Sequence, residues 1–257
     1  MLLDTASLYF RAFYGMPETV TAPDGTPVNA IRGLLDQMTL LVRTRKPAAL
    51  VACWDADWRP EFRTKAIPSY KAHRLSADGS SEEVPANLSV QIPVIEELLT
   101  AAGIAIAGQP GYEADDIIGT LAARSAGPVD VVTGDRDLFQ LVNDERQIRI
   151  IYTVRGLKNL DIVDEAALIN AFGSVDGIKT ALDCGHGGFP KGTRDKLAKS
   201  RDYLEVAMSV VRVADNAPLP PVAGKLPAVV PQPVRIKELG ERWGLGSSLT
   251  RFMSAVS

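Results

Sequence analysis

Gly111-Tyr112-Glu113-Ala114-Asp115-Asp116 packs three carboxylates into four residues, and Ile117, Ile118 and Leu121 continue it at helical spacing. A second acidic pair stands in Val131-Val132-Thr133-Gly134-Asp135-Arg136-Asp137, just past a short apolar run that reads as a buried strand. Asp4 follows Met1-Leu2-Leu3, and Asp55 follows Leu50-Val51-Ala52-Cys53-Trp54, in the same kind of setting. In an open α/β sheet the carboxyl ends of the strands gather at one edge, and sites form there. Asp4, Asp55, Glu113, Asp115, Asp116, Asp135 and Asp137 would then converge into one acidic cluster. Carboxylates that close cannot all stay ionised without counter-charge. Hard divalent cations such as Mg²⁺ supply it and demand oxygen ligands. Each piece also has a plainer explanation. Acidic residues in a first helical turn complement the helix dipole, and Asp after a strand is ordinary turn or cap chemistry. Recurrence at four strand ends is what favours a metal site.

The elements that must position these acids can be read in order. Leu2 and Leu3 form a first strand, and Ser7 to Phe13 open a helix with an aromatic face. Asn29 to about Arg45 is an amphipathic helix with Leu34, Leu35, Met38, Leu41 and Val42 on its core side. A second strand leads to Asp55. Trp58 to Arg74 is basic with interleaved aromatics, a mix that can grip phosphates and stack on bases, or simply face solvent. Val90 to Leu99 is helical, Gly103 to Ala107 a strand, Leu138 to Val142 a short helix, and Gln147 to Val154 a strand. A helix begins at Asp164. Strands alternating with helices through about residue 155 predict a mostly parallel central sheet flanked by helices. Beyond it the chain turns helical. The basic stretch with Lys191 and Arg194 is either a solvated face or a DNA contact. Pro218 to Pro233 should wrap the surface as an extended segment, and Glu238 to Val256 close as one amphipathic helix.

Bulk properties narrow the classes. The chain has 257 residues, 46% hydrophobic and 23% charged, with a net charge of −3. That balance is ordinary for a globular protein with a sizeable core. Cys53 and Cys184 offer neither a disulfide framework nor zinc spacing. The N-terminus has no basic region, so a secretory signal is not expected, and no apolar run approaches membrane-spanning length. A soluble, cytoplasmic, nucleoid-associated monomer is the expectation. An acidic centre with basic surroundings would hide a cationic face in the total charge.

These motifs resemble the bacterial 5′-nuclease family, the flap endonucleases and the 5′-exonuclease domain of DNA polymerase I. The likeness covers most of the chain. It rests on Leu3-Asp4, Trp54-Asp55 with Arg59-Pro60 and Phe62-Arg63, Tyr70-Lys71-Ala72-His73-Arg74, the Gly111–Asp116 stretch and Gly134-Asp135-Arg136-Asp137-Leu138. The resemblance implies a PIN-like nuclease core with a helical arch at about 68–95, the core spanning residues 1–170, and a smaller helical DNA-binding part over 171–257. It implies that the seven acids bind two or more Mg²⁺ or Mn²⁺ ions. It implies that Tyr70, Lys71 and Arg74 handle the scissile phosphate, and that DNA at 5′ flaps, nicks and ends is hydrolysed in replication and repair. Arg11 and Arg32 join Lys191 and Arg194 as expected DNA contacts.

One departure stands out. The family follows this core with a Gly-Asp-x-x-Asp segment and a glycine-rich helix-three-turn-helix. Here Ala171 runs straight into Phe172-Gly173-Ser174-Val175-Asp176-Gly177-Ile178. Neither Asp176 nor Asp183 fits the missing pattern. Either the sequence joins segments across an omitted stretch, which the retained flanks favour, or the deletion is real. A real deletion would weaken both duplex grip and the second metal position. Two other readings remain: a non-catalytic DNA-binding relative, and a PIN-type ribonuclease, against which Tyr70–Arg74 argues. An Asp-nucleophile phosphatase would need a second Asp two residues after Asp4, where Ala6 stands.

Overall fold

The computed structural model describes residues 1–76, 78–79, 81–156, 160–172, 206–207 and 209–257. Its centre is a six-stranded sheet made of β1 (Leu2–Asp4), β2 (Val51–Cys53), β3 (Ala105–Ala107), β4 (Val129–Thr133), β5 (Ile148–Tyr152) and β6 (Asp161–Val163). The strand order is β3-β2-β1-β4-β5-β6. The first five strands run parallel, and β6 joins the edge antiparallel, pairing Asp161 with Tyr152. The α/β class with a mostly parallel sheet is as the sequence implies. The edge strand β6 is an addition that three residues of weak pattern do not announce.

Strand parity divides the core into two layers. Leu3, Ala52, Val132 and Ile151 belong to one buried cluster, and Leu2, Val51, Cys53, Val131 and Ile150 to the other. Successive side chains of a strand point to opposite faces, so each strand feeds both layers. On the first face lie α1 (Thr5–Gly15), α2 (Asn29–Arg45) and α5 (Ile92–Ala102). On the second lies α6 (Ala114–Arg124), with Ala217 and Leu219 of the later chain. The α1–α2 contact depends on Gly33, where a Cβ would sit 2.6 Å from Ala12 Cβ.

Between β2 and α5 the chain forms α3 (Glu61–Ala66), a short 3-10 turn at Ala72–Arg74, and α4 (Ala86–Ser89). A helix, α7 (Glu165–Phe172), follows β6. The expected single C-terminal helix is two: α8 (Pro233–Arg242) and α9 (Gly246–Val256). Gly244, with φ +58°, turns the chain between them in a left-handed conformation that favours glycine. Phe252 of α9 and Leu239 of α8 are buried in the same layer as Leu34 and Leu98. Residues 218–232 form neither helix nor strand, apart from a bridge between Lys225 and Ala49, as the proline content implies. Among the described residues no helix is long and apolar enough to cross a membrane.

Candidate active site

Strand carboxyl ends deliver the acids to one edge. Asp4 ends β1 and also caps α1, its carboxylate accepting from the Ser7 N–H at 3.1 Å. A second bond comes from the Thr133 hydroxyl at the end of β4, at 2.7 Å. Asp55, just past β2, accepts from the Ala114 N–H at 2.8 Å, which ties β2 to the start of α6. Asp135 follows β4 and accepts from the Asp137 N–H at 2.9 Å, a local Asx turn. Together Asp4, Asp55, Glu113, Asp115 and Asp135 line an open cleft of about 770 Å³. Its walls carry Lys71, His73, Arg74, Trp58, Phe10 and Arg136.

The electrostatics of this cleft are those of an acid excess. Burial pushes the Asp4 carboxyl up to about 6, and the nearby charges of Asp55 and Asp135 add to it against the two hydrogen bonds. Asp115 is held well above the usual carboxylate range, first by burial and then by Asp4, Asp135, Asp55 and Glu113. Partial burial also raises Asp137, with Asp135 adding to it. Glu113 is raised by burial, with Lys71 and Arg63 acting in the opposite sense. The Glu113 carboxylate accepts from Lys71 Nζ at 2.7 Å and from the Tyr70 hydroxyl at 2.9 Å.

A convergent set of carboxylates that repel one another is the donor chemistry hard divalent ions require. Asp4, Asp55, Glu113, Asp115 and Asp135 fit such ions in type. Among the described residues, however, no three of these side chains are closed into a compact metal-ligating group.

Not every expected site residue lies in the cleft. Asp116 is fully buried, and both of its oxygens accept from Arg63, at 2.7 Å each. It also accepts from the Glu113 N–H at 3.1 Å and the Ala214 N–H at 2.8 Å. Its lone pairs are thus directed at protein donors, and it stands as a structural anchor rather than a metal ligand. Asp137 is exposed beside Asp135 without lining the cleft. Tyr70 faces Glu113, while Lys71 and Arg74 line the wall. Arg11 donates to the Val154 carbonyl at 2.7 Å. Arg32, expected at a DNA surface, instead donates to the Gly244 carbonyl between α8 and α9, and its Nε is buried without a partner. Its reach is taken up by packing the C-terminal helices onto α2. Lys191 and Arg194 lie outside the described residues. Sequence reasoning gave no role to Thr133 or Ser7, which hold Asp4. Thr133, directly before Gly134-Asp135 at a strand end, was the available signal.

Comparison with known proteins identifies the family. Residues 1–173 match the family described as 5′-3′ exonuclease, N-terminal resolvase-like domain. A 5′-3′ exonuclease of Streptomyces coelicolor is 46% identical over an alignment of 300 positions covering 100% of both chains. One of Mycobacterium tuberculosis is 39% identical over 308 positions, covering 100% of this chain and 97% of the relative. Both alignments are longer than the 257 residues here, so part of each relative has no counterpart in this chain. In fold the chain is similar to the catalytic core of Rad2, solved in complex with a DNA substrate. The TM-score is 0.55 at 14% identity, covering 100% of this chain and 91% of that one.

Proposed function

Because this chain belongs to the 5′-3′ exonuclease family, it is a metal-dependent 5′-nuclease acting on DNA, and we propose that the acidic cleft at the carboxyl edge of its sheet is where phosphodiesters at 5′ flaps and 5′ ends are hydrolysed. The observation that carries this reading is the convergence of Asp4, Asp55, Glu113, Asp115 and Asp135 on one cleft at the strand ends, where burial raises Asp4 and Asp115 and the neighbouring carboxylates add to it. Clustered acids with displaced protonation equilibria in a cleft are a mark of functional sites.

Asp4, Asp55, Glu113, Asp115 and Asp135 would hold Mg²⁺ or Mn²⁺, with Asp137 at the outer side. Such ions, when bound, supply an activated water and charge for the departing oxygen. The protein's own residues do the rest. Thr133 and Ser7 fix the Asp4 carboxylate, and the Ala114 N–H fixes Asp55. Tyr70 orients Glu113. Lys71 and Arg74 offer cationic donors on the wall to the phosphate as charge builds on it. One water adds across one P–O bond, leaving a phosphomonoester and a hydroxyl. The chain acts as a monomer.

The test is cleavage of an end-labelled 5′-flap duplex with Mg²⁺ or Mn²⁺, with EDTA, and with Asp115→Asn. Cleavage that needs metal and is lost in the variant, with DNA binding retained, is the expected result. Binding without cleavage under every metal condition would make the chain a non-catalytic relative. Equal cutting of single-stranded RNA would favour a ribonuclease.

A further inference from the structure

Arg136 stands between two acids in sequence, Asp135 and Asp137, yet among the described residues it takes part in no ion pair. Its side chain is exposed and lines the acidic cleft. Its Nε donates to the Tyr152 hydroxyl at 3.1 Å. Tyr152 ends β5, lines the same cleft, and is itself held edge-on by the Phe139 ring, with centroids 5.0 Å apart at 72°. A guanidinium held at Nε by a fixed phenol keeps its two terminal nitrogens for another acceptor. Their planar fork matches a phosphate better than a point charge does.

We propose that Arg136, oriented by Tyr152, binds a backbone phosphate of the DNA strand in the cleft. This rests on the nuclease reading above. Lys71 and Arg74 come from the chain after β2, whereas Arg136 comes from the turn after β4. The strand is therefore held from two elements across the acid floor. Tyr152 has a second consequence: it draws the guanidinium away from Asp135 and Asp137, leaving those carboxylates for metal. Arg136 thus serves substrate affinity, and it is not one of the groups that act on the reacting atoms.

The experiment measures kcat, KM and the Mn²⁺ requirement on a 5′-flap duplex for wild type, Arg136→Ala, Arg136→Lys and Tyr152→Phe. The salt dependence of binding is measured alongside with Ca²⁺ in place of Mn²⁺. Arg136→Ala should raise KM roughly tenfold, the loss of one charge-assisted contact, with kcat within about twofold. It should also lower the slope of log affinity against log salt by about one. Arg136→Lys should keep the salt slope and recover part of the affinity. Tyr152→Phe should raise KM several-fold with the salt slope unchanged. An unchanged KM and slope in Arg136→Ala would overturn the proposal. So would a fall in kcat with a higher Mn²⁺ requirement and unchanged KM, because the residue would then act through its neighbouring acids. Absence of cleavage by wild type would instead reject the nuclease reading itself.

Discussion

The two edges of the central sheet treat charge in opposite ways. At the amino edge a cleft of about 600 Å³ is lined by Met1, Pro47, Arg124, Asp130, Arg149 and Pro220, among others. Each charge there has a partner. The Met1 ammonium donates to the Ala49 carbonyl at 2.8 Å. Arg124 donates to the Ala217 and Leu219 carbonyls, and Arg149 to Asp130 at 2.6 Å. At the carboxyl edge the acids outnumber the cations that meet them, and their protonation equilibria are displaced accordingly. Both clefts carry charged groups and are similar in size, so size does not separate them. Unmatched charge does, because it is costly to the fold and gathers at functional sites. The contrast repeats at finer scale in α6, where Asp115 faces other carboxylates and Asp116, its neighbour, is closed by Arg63.

The largest expected effect tests that finer contrast. Asp115→Asn should lower flap cleavage by about a hundred- to a thousandfold, in the range lost when a preorganised electrostatic group is removed. Its melting temperature should stay level or rise, because a buried and repelled charge has been removed. Asp116→Asn should do the reverse to stability, lowering the melting temperature by stranding Arg63. Equal melting temperatures in the two variants would erase the distinction between the neighbours.

Next in size is Arg63. Arg63→Met leaves the Asp116 carboxylate buried without its partner, which costs about 3–5 kcal/mol. It also removes the bond from Arg63 Nε to the Val210 carbonyl, at 2.8 Å. Thermal unfolding should fall on the order of 10 °C for a chain of this length. The double variant Arg63→Met/Asp116→Leu should recover much of that loss, since apolar replacement of both partners is close to neutral. No recovery would mean that the pair holds the segment around Val210 and Ala214 by its backbone bonds rather than by mutual charge.

The sequence made the sheet and most of the cleft legible for one reason. Strand-end acids follow apolar runs of period and length that only a buried parallel strand explains, so Asp4, Asp55 and Asp135 could be placed before any coordinates. Asp116 could not be separated from Asp115. Both belong to the first turn of one helix, and what divides them is a guanidinium 53 residues away in sequence. The role of Arg32 is hidden for a similar reason: its acceptor is a carbonyl in the turn between α8 and α9, and that turn lies inside a continuous amphipathic pattern. Local spacing reports which face a residue occupies, not which distant group meets it there.

A smaller effect lies in the pH dependence of the metal-free protein. Asp4 has its folded pKa raised to about 6 from an unfolded value near 3.8. Below about pH 4 the carboxyl is neutral in both states and carries no penalty. As pH rises towards 6 the unfolded chain ionises while the folded one resists, so stability is lost, by about 3 kcal/mol once both are ionised. Urea melts in EDTA from pH 4 to pH 7 should show wild type losing about that much relative to Asp4→Asn. Mg²⁺ should shrink the difference, because a cation at the carboxyl edge supplies the missing charge. A difference that is flat with pH would mean that the Thr133 and Ser7 bonds already satisfy the carboxylate.

The smallest effect belongs to the amino edge. Arg149 is half exposed, and its pairing with Asp130 spans neighbouring positions on β4 and β5. An exposed pair of this kind is worth less than about 1 kcal/mol, because water screens it and two side chains are restrained to make it. Arg149→Ala should therefore shift the urea midpoint slightly at low salt and not at all near 1 M NaCl, where the screening length is about 3 Å. Flap cleavage should be unchanged in kcat and KM. The two edges are joined by strands of only three to five residues, so a real mechanical link would be short. If Arg149→Ala altered cleavage as much as Arg136→Ala, charge matching at one edge would be setting the geometry of the other. The partnered edge would then be part of the catalytic device rather than its inert counterpart.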